Sequence, residues 1–107
     1  MEARPRKIRL YDTADAKSPF TDWMDSLRGS QIHGIILVRL DRVQKGNLGR
    51  WGSVGQGVFE LRIDFGPGYR VYFGQDGDEI ILLGGGIKGT QSADIAKAKE
   101  RWRDYNA

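Results

Sequence analysis

The sequence predicts a small α+β domain with elements in the order β-α-α-β-β-β-α. Three observations carry this reading. Three segments repeat apolar residues at helical spacing, four short segments are alternating or wholly apolar, and Gly/Pro/Asp turn residues link the last three of these into an antiparallel meander. The 107 residues suit one domain, 1–107, with no internal repeat and no low-complexity segment.

Lys7-Ile8-Arg9-Leu10-Tyr11 alternates and reads as the first strand. In Ser18 to Arg28, Phe20, Trp23, Met24 and Leu27 fall on one helical face. Ser18 caps the helix, Pro19 sits at its first position and Gly29 stops it. Ser30 opens a second helix through about Lys45, with Ile32, Ile35, Ile36, Leu40 and Val43 in one stripe. Arg39 points into that stripe and must find an acceptor. The short gap implies an αα-hairpin. Gly46 to Gly57 holds five glycines and reads as a long loop carrying Arg50 and Trp51.

Val58 to Phe65 alternates strictly, with Phe59, Leu61, Ile63 and Phe65 against Glu60, Arg62 and Asp64. Gly66-Pro67-Gly68 turns the chain into Tyr69 to Gln75, and Asp76-Gly77 turns it again. Ile80-Ile81-Leu82-Leu83 is too apolar for an edge and reads as a central strand ended by Gly84-Gly85-Gly86. The last helix spans about Gln91 to Tyr105, capped by Thr90 or Ser92, with a narrow stripe of Ile95, Ala98, Trp102 and Tyr105. The helices are expected to cover one sheet face and leave the other open.

Composition sets limits on the chemistry. There is no Cys and a single His, His33, so disulfides, thiolate nucleophiles and Cys- or His-based metal sites are not expected. No run approaches the roughly 20 apolar residues of a membrane span, and no secretion signal is read at the start, so a cytoplasmic location is expected. Lys and Arg number 17 against 14 Asp and Glu, a net charge of +3 that matters only through its placement.

Alternation sends Glu60, Arg62, Asp64, Arg70 and Tyr72 to one sheet face, with Lys88 near its rim. Paired guanidinium groups suit a phosphodiester, while cross-strand pairing of Arg62 with Glu60 or Asp64 on a solvated face explains the same pattern. Trp51 has two readings, a base-stacking platform or an anchor for its loop. The triglycine lacks the residues of a phosphate-binding loop and reads as a strand exit. His33 reads as a packed helix residue, and the charges of the last helix as a solvated face.

Phe59-Glu60-Leu61-Arg62-Ile63, Gly66-Pro67-Gly68-Tyr69-Arg70-Val71-Tyr72-Phe73, Leu83 to Gln91 and Asp94 to Ala98 resemble the RelE/ParE superfamily of toxin–antitoxin toxins, within it the HigB-like addiction module killer protein branch. The resemblance covers nearly the whole chain and is most specific in the strand-turn-strand stretch. It implies a small twisted antiparallel sheet with two helices on one face. It also implies the toxin of a type II system, held inactive by a helix-turn-helix antitoxin and cleaving mRNA on the ribosome. Neither cofactor, metal, small-molecule ligand nor membrane is implied.

By motif, the resemblance carries Arg62 and Arg70 into the catalytic site, and Lys88 as the basic residue after the last strand. Glu60 or Tyr72 would assist proton transfer, an assignment resting on their shared face. Arg50 and Trp51 are the candidate RNA contacts. Relatives often carry an acid where this chain has Ile87, and some place Tyr or His where it has Gln91-Ser92-Ala93-Asp94. Two further readings use the same fold: a ParE-like inhibitor of DNA gyrase and a catalytically degenerate antitoxin-binding module.

Overall fold

Ile80-Ile81-Leu82-Leu83 has no polar face, and the computed structural model, which describes residues 1–107, buries it on both sides. The elements are β1 (Lys7–Leu10), α1 (Pro19–Ser26), α2 (Gln31–Gln44), β2 (Trp51–Gly55), β3 (Val58–Ile63), β4 (Tyr69–Asp76) and β5 (Glu79–Ile87). A 3₁₀ turn, Lys88–Thr90, then leads into α3 (Gln91–Tyr105). One five-stranded sheet runs in the order β1-β5-β4-β3-β2. No helix is long and apolar enough to cross a membrane.

The α+β class is as expected from the sequence, with three corrections. The first is a fifth strand. The glycines of residues 51–55 predict a loop, yet Trp51, Gly52 and Ser53 pair with Leu61, Glu60 and Phe59. Gly52 serves packing, since a Cβ there would overlap the Arg62 guanidinium. The second concerns direction. β1 pairs with β5 in parallel, so the sheet is mixed. The chain leaves β1 at one edge, crosses through α1 and α2 to the other, and meanders back until β5 lies beside β1.

The third correction is the coverage of the sheet. Phe20 and Met24 of α1 and Ile32, Ile36, Leu40 and Val43 of α2 form one core with Leu61, Val71, Phe73, Ile80 and Leu82. The opposite face is not open. Ala98, Ile95, Trp102 and Tyr105 of α3 cover Val58, Tyr72, Ile81 and Leu83. A central strand apolar on both faces requires cover on both, and α3 supplies the second layer.

β5 also runs past its expected end, because Gly84, Gly85 and Gly86 pair with Tyr72, Val71 and Arg70. A bulge at Leu83 shifts the register between Tyr72 and Phe73 and reverses the alternation beyond it. Gly85 therefore faces Trp23 of α1, while Gly86 faces Asp94 of α3. Gly74 lies directly under the Trp102 ring, and a Cβ at Gly74 or Gly85 would overlap the indole above it. These strand glycines are recesses for aromatic rings.

The caps match expectation in part. The Ser18 hydroxyl accepts from Thr21 N–H at 3.2 Å, with Pro19 in the first turn. Thr90 precedes α3, but its hydroxyl donates to Asp94 Oδ2 at 2.5 Å instead of capping the backbone. At the far end of α3, Tyr11 donates to Asp104 at 2.5 Å and Tyr105 donates to Asp76 at 2.8 Å.

Gly74→Ala should destabilise the fold by about 1–3 kcal/mol through overpacking, read from urea denaturation, and Trp102→Leu in the same chain should recover part of the loss. The Asp104 hydrogen bond, followed by burial, raises the Tyr11 phenol from 10.0 to about 12. The bond therefore stabilises the fold fully below pH 10, where the unfolded phenol stays protonated, and that stabilisation is lost as the pH rises towards 12. The stability difference between the natural chain and Tyr11→Phe should shrink over that interval.

Candidate functional site

Register brings the charged residues of β3 and β4 together. Arg62 stands directly opposite Arg70, and Glu60 opposite Tyr72, on the face beneath the start of α3. Two like charges placed across a ladder repel each other. Glu60 resolves this by lying between them. Its Oε2 accepts from Arg62 Nε at 2.8 Å and lies 3.7 Å from Arg70 Nε. Its Oε1 accepts from Gln91 Nε2 at 2.8 Å. The carboxylate is only 3% exposed, so its three neighbours stand in for the water it lacks.

Arg70 is 8% exposed. Its Nη1 donates to its neighbour's carbonyl, Tyr69 O, at 3.0 Å, and its Nε has no hydrogen-bond partner. One edge of the guanidinium lines a polar cleft of about 450 Å³, together with Arg50, Lys88, Asp64 and the turn from Phe65 to Gly68. Gly68, at φ +87°, takes the left-handed turn that favours glycine, and a Cβ there would meet Arg70 Nη1 and Lys88 Cβ only at ordinary contact distance. Lys88 N–H donates to Gly68 O at 2.9 Å, which ties the end of β5 to the turn. Arg50 pairs with Asp64 at the outer wall. The cleft thus presents three cations against one carboxylate and suits a phosphate-like anion.

The backbone that presents Arg50 is fastened from α2. Arg39 donates to Leu48 O at 3.0 and 2.8 Å, to Arg62 O at 2.7 Å and to Arg50 O. The acceptor that this inward-pointing arginine needs is therefore a set of carbonyls. Burial, and then the nearby Arg42 and Arg50, hold its pKa below the ordinary guanidinium value.

The residues singled out from the sequence separate into three places. Arg50, Arg70 and Lys88 meet in the cleft. Glu60 and Arg62 lie beside it as the support for Arg70, and the Arg62–Glu60 pair forms, though with its carboxylate buried and not solvated. Tyr72 is sealed beneath α3 with its hydroxyl unpartnered, and burial, followed by Glu60 and Asp94, raises its pKa. Trp51 shares the face of its partner Leu61, opposite the arginines, and packs edge-on against Phe59 with ring centroids 5.8 Å apart.

Two residues have roles in the site that the sequence reading does not give them. Asp64 is the carboxylate that reaches the cleft, and Gln91 holds Glu60. Gln91 had a signal in the sequence, because it extends the Ile95, Ala98, Trp102 stripe by one turn.

Replacing Glu60 with Leu strips two arginines of their shared carboxylate and should cost about 3 kcal/mol in urea denaturation. Gln91→Leu removes one hydrogen bond to that charge and should cost about 1–2 kcal/mol.

No family model matches the chain. A protein of Haemophilus influenzae described as an uncharacterized protein is 48% identical to it over 81 residues, which span 75% of this chain and 82% of the relative. At that identity and coverage the two share one fold and one ancestry, and this chain belongs to the family of that Haemophilus protein.

Proposed function

We propose that this protein is the toxin of a type II toxin–antitoxin pair of the RelE/ParE superfamily, HigB-like branch, and that it cleaves mRNA on the ribosome. The observation that carries the reading is the cleft of Arg50, Arg70 and Lys88, with Arg70 nine-tenths buried and braced by Glu60. A braced, partly desolvated guanidinium holds its charge and its direction, which is what stabilising a developing negative charge requires.

In this reading the scissile phosphodiester lies in the cleft against Arg70. The ribose 2′-oxygen attacks phosphorus and loses its proton, and the 5′-oxygen leaves and gains one. The products are a 2′,3′-cyclic phosphate and a 5′-hydroxyl. The nucleophile belongs to the RNA, so the protein's work is alignment and charge stabilisation. Arg70 faces the equatorial oxygens, Lys88 at the rim supplies charge and a proton to the leaving side, and Asp64 is the carboxylate within reach of the 2′-hydroxyl. Glu60 and Arg62 act through Arg70, since Glu60 is enclosed by its three partners. Tyr72 keeps its proton beneath α3 and takes no part. A helix-turn-helix antitoxin is the partner that would silence the toxin.

Expression without an antitoxin should halt growth and leave translated mRNA with new 5′-hydroxyl ends, seen by end mapping. Lys88→Ala, at an exposed position, should fold normally and lower cleavage by about 10²-fold. Growth arrest with intact mRNA would reject the nuclease reading, and accompanying DNA damage would point to gyrase.

A further inference from the structure

Arg50 and Arg70 line the same cleft but are held in opposite ways. Arg70 is enclosed beside Glu60, which fixes its guanidinium. Arg50 is fixed only at its backbone, where its carbonyl accepts from Arg39 Nη2 and from Arg62 N–H, the latter at 2.9 Å. Beyond that anchor its side chain meets one partner, Asp64, through a single nitrogen. The two side chains are 64% and 66% exposed, so water and salt screen the pair and it holds weakly. Arg50 is also the one side chain that Asp64 bonds. The third cation of the cleft, Lys88, takes part in no ion pair.

A phosphate group outcompetes Asp64 for Arg50. It offers two free oxygens to the guanidinium fork, where the present contact uses one nitrogen. Inside the cleft it also meets Arg70 and Lys88, whereas Asp64 pairs with Arg50 alone. The frame need not move. Gly68 N–H donates to Phe65 O and Lys88 N–H to Gly68 O, both at 2.9 Å, and Arg39 holds the opposite wall, so the exchange is a swing of one side chain.

We propose that Asp64 is a placeholder for the substrate phosphate: an incoming phosphodiester takes Arg50 from Asp64, so that Arg50 closes on the phosphate and the Asp64 carboxylate is released. This inference rests on the reading of the cleft as a phosphate site and gives that site an order of events. A carboxylate paired with a guanidinium is a poor proton acceptor, because the pair favours its charged form. Loss of Arg50 to the phosphate removes that restraint. The group within reach of the 2′-hydroxyl is therefore uncovered by the substrate, and only once the substrate is seated.

The test titrates the full chain, at constant ionic strength, with a dinucleotide that lacks the 2′-hydroxyl and so resists cleavage, and separately with inorganic phosphate. Both should bind and shift the Arg50 Nε–H signal in NMR spectra. Asp64→Asn should tighten binding about three- to tenfold, and Arg50→Gln should weaken it about tenfold. With Arg50→Gln already present, Asp64→Asn should change binding less than about twofold, since no cation is then withheld. Asp25→Asn opens another exposed ion pair, with Arg28, for the same change in net charge and should leave binding unchanged. Circular dichroism of all variants should match the natural chain. Failure of both probes to bind, binding of phosphate but not of the dinucleotide, or weaker binding by Asp64→Asn would each overturn the proposal. So would equal tightening by Asp64→Asn with and without Arg50, or by Asp25→Asn, since overall charge would then be the cause. Cleavage is not part of the readout: intact mRNA counts against the nuclease reading alone, and an insensitive Asp64→Asn against the exchange alone.

Discussion

A strand that is apolar on both faces governs this molecule. Ile80 and Leu82 turn to one side, Ile81 and Leu83 to the other, and all four are buried. Such a strand cannot sit at an edge or face water, so it needs neighbours on both flanks and a helical layer on each face. The neighbours are β1 and β4, and the layers are the α1–α2 pair and α3. Most features of the polar site follow from the second layer. Because α3 must reach Ile81 and Leu83, its first turn passes over β3 and β4, where it encloses Tyr72 and brings Gln91 to Glu60.

That coverage converts a surface charge pattern into a buried one. On a solvated sheet, Glu60, Arg62 and Arg70 would be separate side chains with weak, screened interactions. Under α3 a single carboxylate serves both arginines, and removal of any member strands the others. The cleft inherits its geometry from this arrangement. Arg70 cannot swing freely, the Gly66-Pro67-Gly68 turn leaves its edge accessible, and Arg39 holds the carbonyls around Arg50 from the opposite side of the sheet.

Much of this was legible in the residues. Alternation along Val58–Phe65 and Tyr69–Gln75 placed Glu60, Arg62, Arg70 and Tyr72 on one face, and the register agrees. The span read for α3 matches as well. What failed was the meaning of glycine. Gly52, Gly84, Gly85 and Gly86 signal loops by propensity, yet they lie in strands, where Gly52 and Gly85 yield space to Arg62 and Trp23. A recess is defined by the side chain that fills it, and that side chain comes from a distant segment. Coverage by α3 failed for a related reason. Its apolar stripe is narrow, and Gln91 and Trp102 acquire their roles only once β3 and β4 lie beneath them.

The parallel pairing of β1 with β5 has a consequence for how the chain reaches this state. Lys7 is matched with Glu79 and Leu10 with Leu82, so the first strand has no ladder partner until the last strand exists. Contacts of such long sequence separation raise contact order and slow folding, since a large loop must close before the pairing stabilises anything. The helix that seals Glu60 and Tyr72 follows β5 in the chain, so a chain released before it is made would carry the arginines of β3 and β4 without the layer that braces them.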